Sequence, residues 1–274
     1  MKILIAADME GITGVTNWDQ VDPNHAEYPR FRKLMTGDVN AAVRGVCDAG
    51  ADEILVVDGH ERGANIILDE LDPFAKLIRG DYSPLAMVQG IDLGIDGVIF
   101  VGYHSRAGSQ NAILDHTWSS RRVTNLWLND ILVGEYGLNG AVAGHFNAPV
   151  IMLTGDQTTC AQASELLGPI ETVVVKTALS RMAALCLPPQ VTEELIQKAA
   201  IHAVKRLQAG DAPKPFKVAT PVHVTIDFIS SDQADQAALL PGSKRVDGRR
   251  LTFTAEDMLA AYFSFQAALA LVSV

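Results

Sequence analysis

Acidic and imidazole side chains follow three apolar stretches of the sequence, each at the point where the stretch ends. Asp8 and Glu10 come directly after Lys2–Ala7, His60 follows a second apolar run, and His104 follows a third. Asp8 and Glu10 stand two positions apart, so in extended backbone they point to the same side. Two carboxylates on one side repel each other unless a cation or a proton lies between them. These residues therefore predict a site that binds positive charge.

The elements that must carry these side chains alternate between strand and helix. The predicted strands are 2–7, 53–57, 97–101 and 149–153, and the predicted helices are 36–49, 135–144 and 158–167. This alternation predicts an α/β fold with a mostly parallel sheet flanked by helices. Such sheets bind ligands outside the carboxyl ends of their strands. We therefore expect the four residues to meet there, with Glu135 as a fifth member that follows a predicted 125–133 hairpin.

Three carboxylates and two imidazoles suit a pair of divalent metal ions of the zinc type. The absence of thiolates from this set argues against a closed structural zinc site. Two metal ions that share a carboxylate lie ~3.5–4 Å apart and can hold a hydroxide between them. Asp8 is the candidate for the shared carboxylate, because it comes first in the cluster and its short side chain stays near the strand end.

His116 lies on a predicted loop beyond His104. An imidazole near a metal pair can act as a general acid or base, or stabilise the oxyanion formed when a carbonyl is attacked. An ordinary surface histidine is the alternative interpretation. Asp156 also ends a strand, and we expect it to cap the helix that follows.

Composition excludes several classes of partner. Lys and Arg total 22 and Asp and Glu total 32, so the net charge is 22 − 32 = −10, which disfavours nucleic acid as a partner. The N-terminal residues lack the pattern of a signal peptide. The longest apolar stretch, 258–274, is shorter than the roughly 20 residues of a membrane helix, so we expect a buried helix. Three widely spaced cysteines indicate packed thiols rather than disulfides. We expect a soluble cytoplasmic protein with no membrane partner.

The last third of the chain differs in character from the rest. A turn-rich segment, 210–215, precedes two alternating strands at 222–226 and 250–253. Residues 254–257 fit a capping box before a final helix. We therefore predict two units, a metal-binding α/β catalytic domain at 1–190 and a smaller C-terminal α+β domain at 191–274.

Five sequence blocks resemble the signature motifs of the DppA-type zinc D-aminopeptidase family. They are Asp8-Met-Glu-Gly-Ile-Thr-Gly14, Asp58-Gly-His60, Gly102-Tyr-His-Ser-Arg106, Asp115-His-Thr117 and Gly134-Glu-Tyr-Gly-Leu-Asn139. Their order and spacing agree with the family as well. Similarity continues through 148–156, 173–177 with Ser180-Arg181, and 255–259, so it covers nearly the whole chain.

The resemblance implies a set of functional roles. The family pattern assigns two zinc ions per chain to Asp8, Glu10, His60, His104 and Glu135. It makes Asp8 the bridging ligand and His116 the catalytic histidine. It also implies release of N-terminal residues, notably D-amino acids, from short peptides. Family members assemble into homodecamers whose active sites face an internal chamber, which implies exclusion of folded proteins.

The hypothesis from the sequence is a dinuclear zinc aminopeptidase that uses metal-activated water. A dinuclear metal amidase or esterase of other specificity is an alternative within the enzymes. A non-catalytic α/β binding protein, whose carboxylates and histidines are incidental, is an alternative from another class. A nucleotide-binding protein is disfavoured, because no G-x-G-x-x-G and no Walker-type loop occurs.

Overall fold

Two β-sheets and six α-helices make up the computed structural model, which describes residues 1–273. The strands are β1 (Lys2–Ala7), β2 (Glu53–Asp58), β3 (Ala75–Ile78), β4 (Gly97–Val101), β5 (Val123–Leu128), β6 (Ile131–Val133), β7 (Val150–Asp156), β8 (Glu171–Ser180), β9 (Ala183–Cys186), β10 (Val222–Phe228), β11 (Lys244–Arg245) and β12 (Arg250–Ala255). The helices are α1 (Tyr28–Asp48), α2 (Glu135–His145), α3 (Gln157–Leu167), α4 (Pro189–Gln208), α5 (Ser231–Ala237) and α6 (Met258–Ala270).

The larger sheet has seven strands in the order β3-β2-β1-β4-β7-β8-β9. The first six run parallel, and β9 runs antiparallel to β8. Ala7 at the end of β1 pairs with Asp58 of β2 and with Val101 of β4, so the carboxyl ends of these strands lie at one edge. The predicted α/β fold with a mostly parallel sheet is confirmed, and this edge is where its strands deliver the candidate ligands.

Alternate residues of β1 belong to two hydrophobic clusters on opposite faces of the larger sheet. Ile3 and Ile5 pack with the apolar residues of α1 and α4. Leu4 and Ala6 belong to the cluster that includes α2, α3, α6 and the second sheet. Because both faces are covered, the central parallel strands β1, β2, β4 and β7 are buried along nearly their whole length rather than alternating. The apolar runs of the sequence therefore predicted these strands well.

The second sheet is antiparallel, with the order β11-β12-β10-β5-β6. Its β5–β6 hairpin turns at Asn129 and Asp130, which both have positive φ (46° and 66°), as a two-residue hairpin turn of this kind requires. Strands from both sides of the predicted domain boundary, 123–133 and 222–255, share this sheet. Helix α4, which follows the boundary, packs closely against α1, where the backbone of Gln197 reaches Gly45. The division into 1–190 and 191–274 stays a prediction.

One predicted helix start and one predicted helix cap were wrong. Thr36 lies inside α1, where its hydroxyl donates to the Arg32 carbonyl 2.9 Å away, and the helix begins at Tyr28 with a proline in its first turn. Residues 254–257 do not form the predicted capping box, because β12 extends to Ala255. Asp257 caps α6 instead by accepting from the Ala260 amide. A threonine that could act as a cap thus lies inside the helix in the first case and inside β12 in the second.

Helix α6 is the predicted buried C-terminal helix. Met258, Ala261, Tyr262 and Phe265 are buried, and they belong to the core cluster that also holds the second sheet. The last residue of the predicted apolar stretch, 274, lies outside the described part of the chain. Among residues 1–273, none of the helices combines the length and apolar character that crossing a bilayer requires.

Candidate metal centre

The five predicted ligands converge at the carboxyl edge of the larger sheet. Asp8 and Glu10 follow β1, His60 follows β2, His104 follows β4, and Glu135 is the first residue of α2. All five are buried. The parallel register places the first four side by side, and the β5–β6 hairpin delivers the start of α2 to them. The spatial convergence that the sequence predicted is present, whereas the ligand role of each residue stays a prediction.

Asp8 lies between the two imidazoles. Its Oδ1 is 3.4 Å from Nδ1 of His60, and its Oδ2 is 3.4 Å from Nε2 of His104. Each imidazole also faces a glutamate, because His60 Nδ1 is 3.1 Å from Glu10 Oε2 and His104 Nε2 is 3.0 Å from Glu135 Oε1. The cluster thus has two halves, one around each histidine, that share Asp8.

In each imidazole, the inner nitrogen faces the carboxylates and the outer nitrogen points away from them. The outer nitrogen forms a hydrogen bond with a backbone carbonyl. Nε2 of His60 lies 3.0 Å from the Val21 carbonyl, and Nδ1 of His104 lies 3.0 Å from the Ser105 carbonyl. A carbonyl only accepts, so each outer nitrogen donates its hydrogen there. In the neutral rings the inner nitrogens then direct lone pairs toward the carboxylates. This arrangement of imidazoles is the one that metal sites use to fix the orientation of a histidine ligand.

Three buried atoms that face the interior of the cluster have no hydrogen bond within the described part of the chain. Asp8 Oδ2, Glu10 Oε2 and His104 Nε2 are buried and have no hydrogen-bond partner among residues 1–273. Buried polar atoms are nearly always satisfied, so a group of three in one place calls for an explanation. A lone pair facing a carboxylate oxygen is repulsive unless a cation or a proton lies between them. Carboxylate and imidazole are ligands that suit zinc, so the residues fit a metal of this type.

The ionisation of these groups reflects the same demand for positive charge. Burial, and then the charge of Glu10, raise the pKa of Asp8 to about 7. Burial opposes the charged form of His104, but Glu135 and Asp8 outweigh it and raise the pKa of His104 to about 10. Burial also opposes ionisation of Glu10, yet the charge of His60 holds the pKa of Glu10 well below its usual range. The buried carboxylates therefore favour a positive charge beside each imidazole, which either a proton or a metal ion can supply.

His116 lies directly against this cluster. Its ring stacks on His104 with 3.9 Å between centroids, and its Nε2 is 3.7 Å from Glu135 Oε1 and 3.9 Å from Glu10 Oε1. Its Nδ1 lies 2.8 Å from the Leu114 carbonyl and donates to it. Burial, and then the neighbouring His104, lower the pKa of His116 below its usual value. The geometry rules out the alternative of an ordinary surface histidine.

A buried carboxylate orients the loop that carries His60. Asp58 accepts from the Asn65 amide (2.6 Å), from Asn65 Nδ2 (2.7 Å) and from the Ile66 amide (2.8 Å). Asn65 Nδ2 also donates to the His60 carbonyl at 2.6 Å, and its Oδ1 accepts from the Tyr28 hydroxyl at 2.6 Å. Asp58 was not among the predicted site residues. The signal available in the sequence was a carboxylate at a strand end, directly before the Gly59-His60 pair.

Two further carboxylates hold the loop that carries His116. Asp156 caps α3, as predicted, and its other oxygen accepts from the Ile113 amide at 2.7 Å. Asp115 accepts from Nε of Arg181 at 2.8 Å, and the Arg181 guanidinium also donates to the Asp115 carbonyl at 3.0 Å. Local spacing could not reveal the Arg181 contact, because its partner lies on a different part of the chain.

The chain is similar to known proteins over nearly its whole length. The sequence model of the D-aminopeptidase family matches residues 1–267. A D-aminopeptidase from Bacillus subtilis (strain 168) is 36% identical over 263 residues, which cover 96% of this chain and 94% of that protein. A solved structure, described as Zn-dependent D-aminopeptidase DppA from Bacillus subtilis, a self-compartmentalizing protease, superposes with a TM-score of 0.95. It is 35% identical and covers 99% of this chain and 97% of its own. The chain belongs to the D-aminopeptidase family.

Proposed function

We propose that this protein is a zinc aminopeptidase that releases N-terminal residues, D-amino acids in particular, from short peptides. Membership of the D-aminopeptidase family supports the activity, and a related structure is Zn-dependent. The observation that carries the proposal is the pair of imidazoles whose inner nitrogens face carboxylate oxygens. Within the described residues, His104 Nε2 and Asp8 Oδ2 have no hydrogen-bond partner.

Five residues would hold the metal ions. Glu10 and His60 form one half of the cluster, His104 and Glu135 form the other, and Asp8 has one oxygen toward each half. This division favours two zinc ions per chain with Asp8 as the shared ligand. When bound, zinc supplies a Lewis acid that polarises the scissile carbonyl and lowers the pKa of water toward ~7.

His116 is the residue to which we assign proton transfer. Its Nδ1 is held by the Leu114 carbonyl, so Nε2 is the nitrogen free to accept a proton. Its lowered pKa keeps the ring neutral near pH 7, as a general base requires. Nε2 accepts a proton from the attacking water and donates it to the amine that leaves as the C–N bond breaks. The substrate gains the elements of water, and His116 returns to its neutral form.

Assembly of several copies would restrict access to the site. The related structure is described as a self-compartmentalizing protease. By resemblance we propose a homodecamer with internal active sites, which admits short peptides and excludes folded proteins. We also propose a cytoplasmic location, which the three free cysteines support because disulfides are rare in that compartment.

The test of the proposed function is a peptide assay with controlled metal content. Two peptides that differ only in D-Ala or L-Ala at the N-terminus are incubated with the zinc-loaded protein, with chelated protein, and with chelated protein after zinc is restored. We expect cleavage after the first residue of the D-Ala peptide, loss on chelation, and recovery with zinc. Equal activity with and without the metal would refute the proposal, and exclusive cleavage of the L-Ala peptide would refute the D-preference.

A further inference from the structure

A lysine is fully buried in strand β8, a strand that supplies no candidate ligand. Lys176 has 1% of its surface exposed. Burying an ammonium group is costly unless its hydrogens are all bonded. Burial lowers the pKa of Lys176 to about 8, which still leaves it mostly charged near pH 7. A residue with this cost and no assigned role calls for a physical reason.

The ammonium group of Lys176 donates to three backbone carbonyls of one loop. Nζ lies 2.6 Å from the carbonyl oxygen of Glu10, 2.8 Å from that of Ile12 and 2.8 Å from that of Val15. An ammonium has three hydrogens, so every donor is satisfied. The three acceptors lie on the loop that follows β1. Strands β4 and β7 separate β8 from β1 in the sheet, so the lysine links two non-adjacent parts of the sheet edge.

The same loop is held at other points by the backbone. The Gly11 amide donates to the Gly102 carbonyl at 2.7 Å, and a β-carbon at Gly11 would come within 1.9 Å of the Tyr103 carbonyl oxygen. The Thr13 amide donates to Asp38 at 2.8 Å. These contacts hold the loop against β4 and α1. The carbonyl of Glu10 itself is held by Lys176, so the lysine fixes the backbone of a candidate ligand directly.

We propose that Lys176 is a positioning residue of the metal centre, which fixes the loop 9–15 so that the Asp8 and Glu10 carboxylates face the two imidazoles before metal binds. This inference rests on the proposed function, because positioning of the carboxylates matters only if they hold metal. Without the lysine, three buried carbonyls lose their donor and the loop relaxes. Groups that orient metal ligands from behind typically change metal affinity by 10–100-fold when they are removed.

The test compares zinc affinity in the wild-type protein and in a Lys176→Met variant. Methionine has a similar length but neither charge nor donors. Zinc dissociation constants are measured by competition with a chromophoric chelator, on protein shown to be folded by circular dichroism. We expect Lys176→Met to weaken zinc binding by about 10-fold or more. Zinc affinity unchanged from wild type, in folded variant protein, would overturn the positioning role and leave the proposed function intact.

Two control variants separate positioning from other effects of the substitution. Lys198→Met makes the same chemical change at an exposed lysine, so it reports the loss of one positive charge. Val224→Ala removes buried volume from the second sheet, so it reports a general loss of stability. We expect both to bind zinc as tightly as wild type. A loss of zinc affinity in Val224→Ala equal to that in Lys176→Met would assign the effect to stability and overturn the inference.

A second measurement uses only the wild-type protein, so it can overturn the proposal even if Lys176→Met does not fold. Amide hydrogen exchange of residues 9–15 is followed with and without zinc. Because the lysine orders the loop without metal, we expect these amides to be protected in both states. Rapid exchange that slows only when zinc is added would overturn the proposal. Wild-type protein that binds no zinc in the chelator assay would overturn both this inference and the proposed function.

Discussion

Asp8 differs from the other carboxylates of the cluster, because its two oxygens face the two imidazoles that are candidate ligands, His60 and His104. Oδ1 faces His60 and Oδ2 faces His104, both at 3.4 Å. Of these two imidazoles, Glu10 approaches only His60, at 3.1 Å, and Glu135 approaches only His104, at 3.0 Å. A residue in Asp8's position is shared by the two halves of the cluster, whereas each glutamate belongs to one half.

This asymmetry predicts different zinc contents for three matched substitutions. Wild type should hold about two zinc ions per chain, and Glu10→Gln and Glu135→Gln about one each. Asp8→Asn should hold less than either, because it removes a negative ligand from both halves. Elemental analysis of protein that has been dialysed against zinc and then against zinc-free buffer measures the number of zinc ions per chain. Asp8→Asn that retains as much zinc as the two glutamate variants would contradict the bridging role.

His116 should be separable from metal binding. Its Nε2 lies 3.7 Å or more from the carboxylates, farther than the inner nitrogens of His60 and His104. We expect His116→Ala to keep its zinc but to lose kcat by about 10²-fold or more, because proton transfer is lost. Steady-state kinetics on the D-Ala peptide measure the change, and His202→Ala, at an exposed histidine, is the control. Near-normal kcat in the zinc-loaded His116 variant would refute the catalytic role.

At the scale of elements, the first loop is held between two helices. Asp38 of α1 accepts from the amide and the hydroxyl of Thr13, at 2.8 and 2.9 Å. The Thr13 hydroxyl also lies 2.8 Å from that of Thr192 in α4. Burial raises the pKa of Asp38 from 3.8 to about 6, although the bonds from Thr13 oppose this. The carboxylate at this junction therefore costs stability when it is charged.

A pH dependence of stability follows from this burial. Between the unfolded and folded pKa of Asp38, 3.8 and about 6, the folded protein binds more protons than the unfolded chain. The free energy of unfolding therefore falls as pH rises through this window. Asp38→Asn removes this loss, so relative to wild type the variant should gain about 2 kcal/mol between pH 4 and pH 7.

Urea unfolding of zinc-free wild type and variant, near pH 4 and near pH 7, measures this difference. Zinc is removed because its own pH-dependent binding would obscure the titration of one carboxylate. Asp69→Asn, at an exposed aspartate, is the control and should leave the pH dependence unchanged. If the stability difference between Asp38→Asn and wild type were the same at both pH values, the assigned titration would be wrong.

The elements that the sequence predicted best are the buried parallel strands. β1 and β4 begin and end where their apolar runs do, since strands covered on both faces are apolar throughout. The convergence of Asp8, His60 and His104 followed from these strand ends. The helix starts were less predictable, because Thr36 and Thr254 are good caps whose use depends on what packs beside them.

The supporting residues of the site could not be predicted from spacing. Lys176 contacts a carbonyl 166 positions away in the chain, and β8, which carries it, was not predicted as a strand. Three of its residues in succession, Val173 to Val175, are buried, exposed and buried, but the alternation breaks at Lys176, which is buried next to Val175. Contacts of this kind depend on the order of strands in the sheet, which local pattern does not encode.

At the scale of the whole molecule, several large apolar side chains on and between β8 and β9 are exposed to solvent. Leu179, Met182 and Leu185 on and between β8 and β9 are 66%, 51% and 67% exposed. Apolar side chains grouped on a surface commonly contact another protein. Arg181, in the same hairpin, also contacts the loop that carries His116. This surface is consistent with the proposed assembly of copies around the active sites.

The proposed assembly predicts both a mass and a size limit on substrates. Light scattering of the eluting protein should give the mass of about ten chains of 29.4 kDa. The same fraction should cleave a short D-Ala peptide but should not release residues from a folded protein with an accessible N-terminus. A monomer mass in the active fraction would contradict the closed assembly, although it would leave the chemistry of the site unaffected.

The proposed function requires carboxylates and imidazoles from distant parts of the chain to hold a pair of zinc ions. The most direct test is a crystal structure of the zinc-loaded protein with anomalous scattering measured on both sides of the zinc absorption edge. We expect two zinc peaks about 3.5–4 Å apart, one beside Glu10 and His60 and the other beside His104 and Glu135, with Asp8 between them. Zinc-loaded crystals without anomalous density at these residues would contradict the account.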